Sequence, residues 1–394
     1  MVAPLVYSPY AYEIHEDPYP TYERLRDEAP AYYNPDLDFW ALSRFDDVHA
    51  AMQDYERFSS SLGVSLEPGS GQRPPMIIAM DPPRQQKLRK LVSKAFTPRR
   101  VATMEPQIRA LTRKYLDPLV PRGACDFIQD FSAKLPMDVI STMMGVPDED
   151  QDMLRRWSDA LLHREEGKAD PTQAGMEGAG GLVRYFAEDI GRRRKHPGDD
   201  LVSALIDAEV DGERLTDAEI IGFCFLLVIA GNETTTKMLG NAIVLLARHP
   251  DQRAYLVEHP DRIPDAVEEV LRFDNSTQML ARVLTCDVPL HGKTMQAGKR
   301  VVLLVGSANR DERVFERASE FDIRRPLKPS LAFGYGIHVC LGASLARLEG
   351  RVALEEVLPN MPEYVVDEAG LVRVHSANVR GYANVPIRFA SRPS

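Results

Sequence analysis

The segment Phe333-Gly334-Tyr335-Gly336-Ile337-His338-Val339-Cys340-Leu341-Gly342 sets one cysteine between a glycine-rich turn and the start of a helical pattern. Gly334 and Gly336 permit backbone conformations that a side chain blocks, so a flat group can approach and backbone N–H groups can point at the sulfur. A helix expected from about Leu341 to Leu358 puts the sulfur at its N-terminus, where the dipole favours negative charge. That effect is about 0.3 to 1 kcal/mol and at most about 2, under two pKa units, too little to ionise fully a thiol of ordinary pKa near 8.5. A metal ion at the sulfur ionises it outright. The setting suits a ligand better than a core residue.

Working outward, Thr216 and Glu219 stand in capping-box spacing and open a helix expected to reach about Ala247, roughly 48 Å long and able to cross a whole domain. Its apolar stretch, Ile220 to Ala230, gives way to Gly231-Asn232-Glu233-Thr234-Thr235-Thr236, a polar cluster inside a buried helix. Thr234 can bond the carbonyl of Ala230, four residues back, loosening the helix and admitting water. Helical periodicity dominates from Arg84 to Leu256, with helices also at Thr21 to Glu28 and ending at Arg272. Strand-like patches occur at Phe39 to Ser43, Val288 to Leu290 and Val301 to Val305, and the last thirty residues read as short strands with turns at Glu368 to Gly370 and at Gly381. Ser59 to Pro75 and Asn309 to Ser330 read as irregular chain, and the glycine-rich stretch Gly167 to Gly181 as a mobile surface connection. No composition break divides the chain, so residues 1–394 are expected to form a single domain, mainly α with small β-sheets, an α+β architecture.

Composition narrows the function classes. The 394 residues carry 44% hydrophobic and 27% charged residues, which excludes a disordered or fibrous chain. With 48 basic against 58 acidic residues the net charge is -10, the wrong sign for gripping nucleic acid. Ile220 to Ala230 falls short of the roughly 18 to 20 apolar residues of a membrane span, so no membrane association is expected. The first residues show no secretory pattern, and Cys125, Cys224, Cys286 and Cys340 are too scattered for a disulfide framework or a zinc site. A cytoplasmic location is expected.

The cysteine segment, continuing through Ala343, Leu345, Ala346, Arg347 and Glu349, closely resembles the haem-binding loop of the bacterial cytochrome P450 family, and the resemblance spans essentially the whole chain. It implies that family's fold, with haem b (iron protoporphyrin IX) between the long central helix and the cysteine-loop helix. Cys340 is then the axial iron ligand, whose thiolate donation favours O–O cleavage. Phe333 and Gly334 lie beside the sulfur and His338 binds a haem propionate. Met80-Asp81-Pro82-Pro83-Arg84-Gln85-Gln86-Lys87-Leu88-Arg89 matches the helix along one haem edge, making Gln85 and Arg89 propionate partners; Arg282 is a further one. Many members carry histidine at Gln85 and an acid at Arg84. Ala230 to Thr235 matches the oxygen-binding segment, in which Gly231 leaves room above the iron and Glu233 with Thr234 form the acid–alcohol pair that delivers protons. Glu269 and Arg272, joined by Arg325, match a buried network that scaffolds the haem loop.

The resemblance further implies a substrate pocket lined by Leu62, Met76, Ile77, Leu227, Ala230, Thr277, Gln278, Met279 and Val379, mostly apolar and suited to a hydrophobic small molecule. Asn275-Ser276-Thr277-Gln278 replaces the usual Ser-Pro-Val type sequence before the strand facing the haem. No flavin fingerprint follows Cys340, so electrons are expected from a ferredoxin or flavodoxin with its reductase, steered by Lys87, Lys90, Lys94, Arg99, Arg100, Arg347 and Arg351. The leading expectation is a monooxygenase that inserts one atom of O2 into its substrate. A haem-thiolate enzyme of another type (peroxygenase, dehydratase or nitric oxide reductase) and a non-catalytic haem sensor or carrier are the alternatives; Glu233 and Thr234 argue against the first, and nothing in the sequence suggests an output domain for the second.

Overall fold

Thr216 caps the longest helix as its spacing predicts: Thr216 Oγ1 accepts from the Glu219 N–H at 3.3 Å and Glu219 Oε2 accepts from the Thr216 N–H at 2.9 Å. The helix spans Asp217–Arg248 in the computed structural model, which describes residues 4–391 apart from 67–73, 94–95, 164, 166–171, 211 and 327. It packs against helices Leu135–Met144, Asp148–Leu162, Gln173–Arg193 and Ala343–Asn360, which accounts for its apolar circumference. Among the described residues it alone is long and apolar enough to cross a membrane, yet 56% of its most apolar window is buried inside the protein, as in a core helix. Arg84, where many relatives have an acid, donates from Nε to Glu219 Oε1 at 2.8 Å and from Nη1 to Glu213 Oε2 at 3.1 Å. The substitution thus clasps helix Arg84–Val92 to the start of the central helix.

The glycine-rich stretch is not a surface connection from residue 173 onward; residues 166–171 lie outside the described chain. Gln173–Arg193 is a helix, with Thr172 Oγ1 accepting from the Gly175 N–H at 3.1 Å. Its glycines serve close approach: a Cβ at Gly178 would stand 2.7 Å from the Trp157 carbonyl oxygen and one at Gly181 2.6 Å from the indole. Helix propensity alone disfavours glycine, but tight packing against Asp148–Leu162 outweighs it here.

A five-stranded sheet runs in the order Ala31–Asn34, Phe39–Leu42, Arg300–Leu303, Leu280–Leu284, Phe58–Ser59, with only Phe39–Leu42 and Arg300–Leu303 parallel. Val301 pairs with Trp40 on one side and Arg282 on the other. The expected strand Val301 to Val305 is shorter, because Val305 starts the short helix Val305–Ala308. Alternation along Leu280–Leu284 decides which residues reach the site. Met279 and Ala281 face a cluster with Tyr7, Tyr22 and Leu25, whereas Leu280 and Arg282 share the other face.

Helix Ile263–Phe273 carries the expected network. Arg272 donates to Glu269 from Nε at 2.8 Å and from Nη2 at 2.7 Å, and Arg325 Nε donates to Glu269 Oε1 at 3.3 Å. Arg272 Nη1 also donates to the Asn309 carbonyl at 3.0 Å, while Asn309 Oδ1 accepts from the Leu331 N–H at 2.7 Å. The irregular segment from Asn309 to Ser330 is thereby pinned between this helix and the cysteine loop.

Candidate active site

The cysteine loop is drawn tight by its own backbone. The Cys340 N–H donates to the Phe333 carbonyl at 2.7 Å and the Gly334 N–H to the Leu331 carbonyl at 2.9 Å. Gly336 has φ +70°, and a Cβ there would lie 2.8 Å from the Met52 carbonyl oxygen, so both conformation and space require glycine. Helix Ala343–Asn360 begins just after the cysteine. Cys340 is open to a cavity yet ringed by protein, and desolvation raises its thiol pKa, only partly offset by a backbone hydrogen bond from Gly342 and by Arg89 and Arg347. Phe333 packs under the Arg347 guanidinium, 4.5 Å from its ring centre.

Three basic side chains gather at the edge of this cavity without an anion to match them. Arg282 is 3% exposed, its only side-chain bond among the described residues goes to the Ala281 carbonyl at 2.8 Å, and burial pulls its pKa down to about 10 against the raising effect of Asp81. Arg89 makes no ion pair among the described residues, and desolvation likewise lowers its pKa. His338 has a buried, unpartnered Nε2 and a pKa pushed down to about 4, first by burial and then by Arg282 and Arg89. Asp81, the acid beside them, is occupied by Ser59 Oγ and by the Ser60 N–H at 2.9 Å. Buried guanidinium groups are costly unless paired, so this edge is built for a ligand with anionic groups. Together with the cysteine, that matches a haem with its propionates. Gln85 is fully buried and its Nε2 donates to the Ile337 carbonyl at 2.8 Å; its unpartnered Oε1 is an acceptor and cannot bind an anion. Through Nε2 it braces the loop.

From the central helix, Ala230 and Thr234 line the same cavity, and Thr234 Oγ1 donates to the Ala230 carbonyl at 2.9 Å as the sequence predicts. Gly231 lines it too, but a Cβ there would come 2.9 Å from Ile140, so helix packing also requires the glycine. Glu233 departs from expectation. It projects into a second cavity across the helix, buried and paired with Lys237 Nζ at 3.1 Å, so acid and alcohol do not face the same space. The i, i+4 spacing of Glu233 and Lys237 was the signal for this pair in the sequence.

Of the expected pocket residues, Ile77, Leu227, Ala230 and Thr277 line the cavity. Leu62 is 58% exposed, Met76 packs on the core, and Met279 is turned away by strand alternation. Val379 bridges Thr277 and faces the second cavity, while Gln278 Nε2 donates to the Asn275 carbonyl at 2.6 Å. That bond, with Asn275 Nδ2 donating to the Thr277 carbonyl at 2.6 Å, holds the bend where proline is usual. The bend brings Asn275, Ser276 and Leu280 to the wall, joined by Phe223 and Leu226; Asn275, Ser276 and Phe223 were not among the residues expected to line the pocket.

Glu349 also lines this cavity, with Oε2 unpartnered, and burial alone raises its carboxyl to about 8 from 4.5. The folded state therefore holds this proton more tightly than the unfolded chain. Its contribution to stability is complete below about pH 4.5 and is lost as pH rises through about 8. Glu349→Gln is expected to leave the urea midpoint near the acid end unchanged and to flatten its decline toward pH 8. An equal decline in both proteins would assign the pH dependence elsewhere.

The expected basic face is narrower than the sequence suggests. Arg347 pairs with Glu268 at 2.5 Å, Arg351 with Glu105 and Glu355, and Lys87 with Glu213 at 3.5 Å. Lys90, Arg99 and Arg100 keep exposed charges with no ion pair among the described residues, and Lys94 lies outside them.

Residues 182–361 match the family model for cytochrome P450. Cytochrome P450 123 of Mycobacterium tuberculosis is 49% identical over 393 residues, 98% of each chain. Vitamin D(3) 25-hydroxylase of Pseudonocardia autotrophica is 38% identical over 390 residues, 96% of this chain and 95% of that one. Among solved structures, CYP109E1 from Bacillus megaterium in complex with testosterone superposes with a TM-score of 0.89 at 34% identity, covering 96% of this chain and 99% of that chain. P450BioI in complex with acyl carrier protein ligated to hexadec-9Z-enoic acid gives 0.88 at 34% identity over the same shares.

Proposed function

The chain belongs to the cytochrome P450 family, and from that premise we propose that it is a haem b monooxygenase oxidising a neutral lipophilic substrate with electrons from a ferredoxin or flavodoxin. The family membership itself makes it a haem-iron oxidoreductase of the monooxygenase type, which uses O2, a redox partner and hydrophobic substrates. The observation that carries the finer reading is the meeting of Cys340, Arg89 and His338 around one cavity, with buried Arg282 beside His338. When bound there, haem iron supplies the chemistry that divides O2, one atom entering substrate and the other leaving as water with two protons and two electrons.

The residues have distinct tasks in this reading. Cys340 would hold the iron, to which its thiolate would donate electron density. Arg89, Arg282 and His338 would hold the propionates. Thr234 Oγ1 keeps a proton at the oxygen side of the cavity, where its bond to the Ala230 carbonyl opens room for water. Ile77, Ile78, Phe96, Phe223, Leu226 and Leu227 bind substrate by burial and exclude bulk water. The charged lining among the described residues, Arg89, His338 and Glu349, is committed to the haem edge or enclosed, which favours a neutral substrate. A relative solved with testosterone and a vitamin D(3) hydroxylase support molecules of steroid size, ahead of carrier-bound fatty acids. Lys90, Arg99 and Arg100 are the docking charges for an acidic electron donor, with a cytoplasmic location implied by that pairing.

Thr234→Ala tests the reaction type. Electron consumption is expected to continue while product per electron falls steeply and hydrogen peroxide appears, measured as NADPH or NADH consumed against product and peroxide. Unchanged coupling would favour a haem-thiolate enzyme that does not need proton delivery to oxygen. Soret shifts with steroids but not with free fatty acids check the substrate class.

A further inference from the structure

The central helix separates two cavities, and the second, of about 330 Å³, is polar and large enough for a small organic molecule. Cys340 is not among its walls. One wall carries Arg373, whose side chain is 10% exposed. Its guanidinium makes no hydrogen bond among the described residues, and its Nη1 is fully buried. The group lies over the Tyr382 ring at 3.8 Å, and its one carboxylate partner among the described residues, Asp274 Oδ2, stands 3.8 Å from Nη1, beyond hydrogen-bond reach.

That carboxylate is already committed. Asp274 Oδ1 accepts from Arg380 Nε and from Tyr19 Oη, each at 2.7 Å. Burial raises its pKa, but Arg380, Arg373 and Arg310 together outweigh burial and hold it well below the usual carboxylate range. Three guanidinium groups thus converge on one acid. Arg380 is completed by the His15 and Glu16 carbonyls at 2.6 and 3.1 Å, and Arg310 by the Phe273 carbonyl at 2.7 Å. Arg373 has no such acceptor. Glu368, whose carboxyl Arg373 also helps to lower, is paired with Arg248 at 2.6 Å. A buried cation in this position is costly until an anion completes it.

The other charges around the cavity set the kind of anion. Lys237 is committed to Glu233 at 3.1 Å and Arg155 to Asp152 at 2.8 Å, so neither is in excess. Asp159 lines the space with no hydrogen bond or ion pair among the described residues. Desolvation and the like charge of Glu233 raise its pKa to about 6, against the lowering effects of Lys237 and Arg155, so it is ionised in mild alkali. A dianion would be repelled by these two acids, whereas a monoanion matches the one guanidinium in excess. Asn232, 1% exposed on the central-helix wall, has an unpartnered Oδ1 that calls for a donor.

We propose that the second cavity is a binding site for a small hydroxycarboxylate, whose carboxylate pairs with Arg373 and whose hydroxyl meets the Asn232 acceptor. The flat fork of a guanidinium matches a carboxylate with two parallel N–H···O bonds, which an ammonium cannot do. The ligand is not the molecule oxidised, because the central helix stands between it and Cys340.

The test uses haem-loaded protein with lactate as probe, lactamide as its neutral counterpart and acetate as the acid without a hydroxyl. Binding is read by saturation-transfer NMR at about pH 8, where Asp159 is ionised, with chloride holding the ionic strength constant. Lactate is expected to bind at least about tenfold more tightly than lactamide, and Arg373→Gln to weaken lactate by a similar factor, as the loss of a charge-assisted pair requires. Asp159→Asn removes a like charge and breaks no bond, so lactate should bind severalfold more tightly to it. A structural role for either residue would not produce that gain. Acetate should bind severalfold more weakly than lactate, and equal binding would overturn the part given to Asn232. No lactate binding, equal binding of lactate and lactamide, or unaltered lactate affinity in both variants would overturn the site. If Arg373→Gln does not fold, Asp159→Asn decides alone: a gain supports the site and an unaltered affinity overturns it.

Discussion

Arg272→Ala is expected to yield little haem-loaded protein and to lower stability by about 3 to 5 kcal/mol, the cost of leaving a buried charge without its partner. The charge is that of Glu269, 4% exposed, which loses its bidentate partner and keeps the longer bond from Arg325 and one from the Asp322 N–H at 2.9 Å. The carbonyls of Asn309 and Ala318 lose this donor in the same step, and that of Glu320 keeps the one from Arg325 Nη2. Because Asn309 also anchors Leu331, the damage travels directly into the cysteine loop. Arg272→Lys should recover only part of the loss, since an ammonium cannot reproduce the fork that spans Glu269 and three carbonyls. The urea midpoint and the haem-to-protein ratio measure both variants. Parental values for Arg272→Ala would mean the network carries no load.

Cys340→Ser separates ligation from folding. The backbone bond from residue 340 to the Phe333 carbonyl does not involve the sulfur, so the loop is expected to keep its course. The donor set does change: an alcohol stays protonated where a thiol ionises on iron, and the electron push of the thiolate is removed. Monooxygenase turnover should fall to background, with the absorption of thiolate-bound haem lost and the urea midpoint nearly retained. Retained turnover and an unaltered spectrum would mean another residue ligates the iron. Cys125 and Cys224 are buried elsewhere and burial raises both thiols strongly, so neither is a ready substitute.

The sequence was most legible where local chemistry and global fold ask for the same residues. The capping box at Thr216, the Thr234 bond to Ala230 and the cysteine turn follow from short-range rules, and each forms as expected. The Glu269, Arg272 and Arg325 network was legible only through family resemblance, since i, i+3 pairs are usually exposed. Misreadings arose where a distant partner decides. Glycines of Gln173–Arg193 resemble a loop until Trp157 is seen against them. Met279 looks like a pocket residue until the register of its strand turns it toward Tyr7, with Tyr7 Oη donating to Met279 Sδ at 3.8 Å. Glu233 matches its motif in sequence, but its ion pair with Lys237 holds it in the second cavity, whose far wall comes from a helix some seventy residues earlier.

The departures from the family pattern have physical counterparts. Arg84 gains Glu219 and Glu213 in place of the haem edge, and Gln85 braces Ile337 where a histidine would reach an anion. In the proposed reading Arg89, Arg282 and His338 would hold the propionates, and the effect of substitution is expected to be greatest at those three. The bend at Asn275 to Gln278 replaces a proline constraint with two side-chain hydrogen bonds, leaving the strand from Leu280 in place.

The central claim is that Cys340 ligates a haem iron within the cavity closed by Ala230 and Thr234. The difference spectrum of the dithionite-reduced protein with and without carbon monoxide tests it most directly. A strongly red-shifted Soret band is the predicted result, as only a thiolate opposite carbon monoxide produces it. A band at the position of histidine-ligated haem, in freshly prepared and fully loaded protein, would contradict the account.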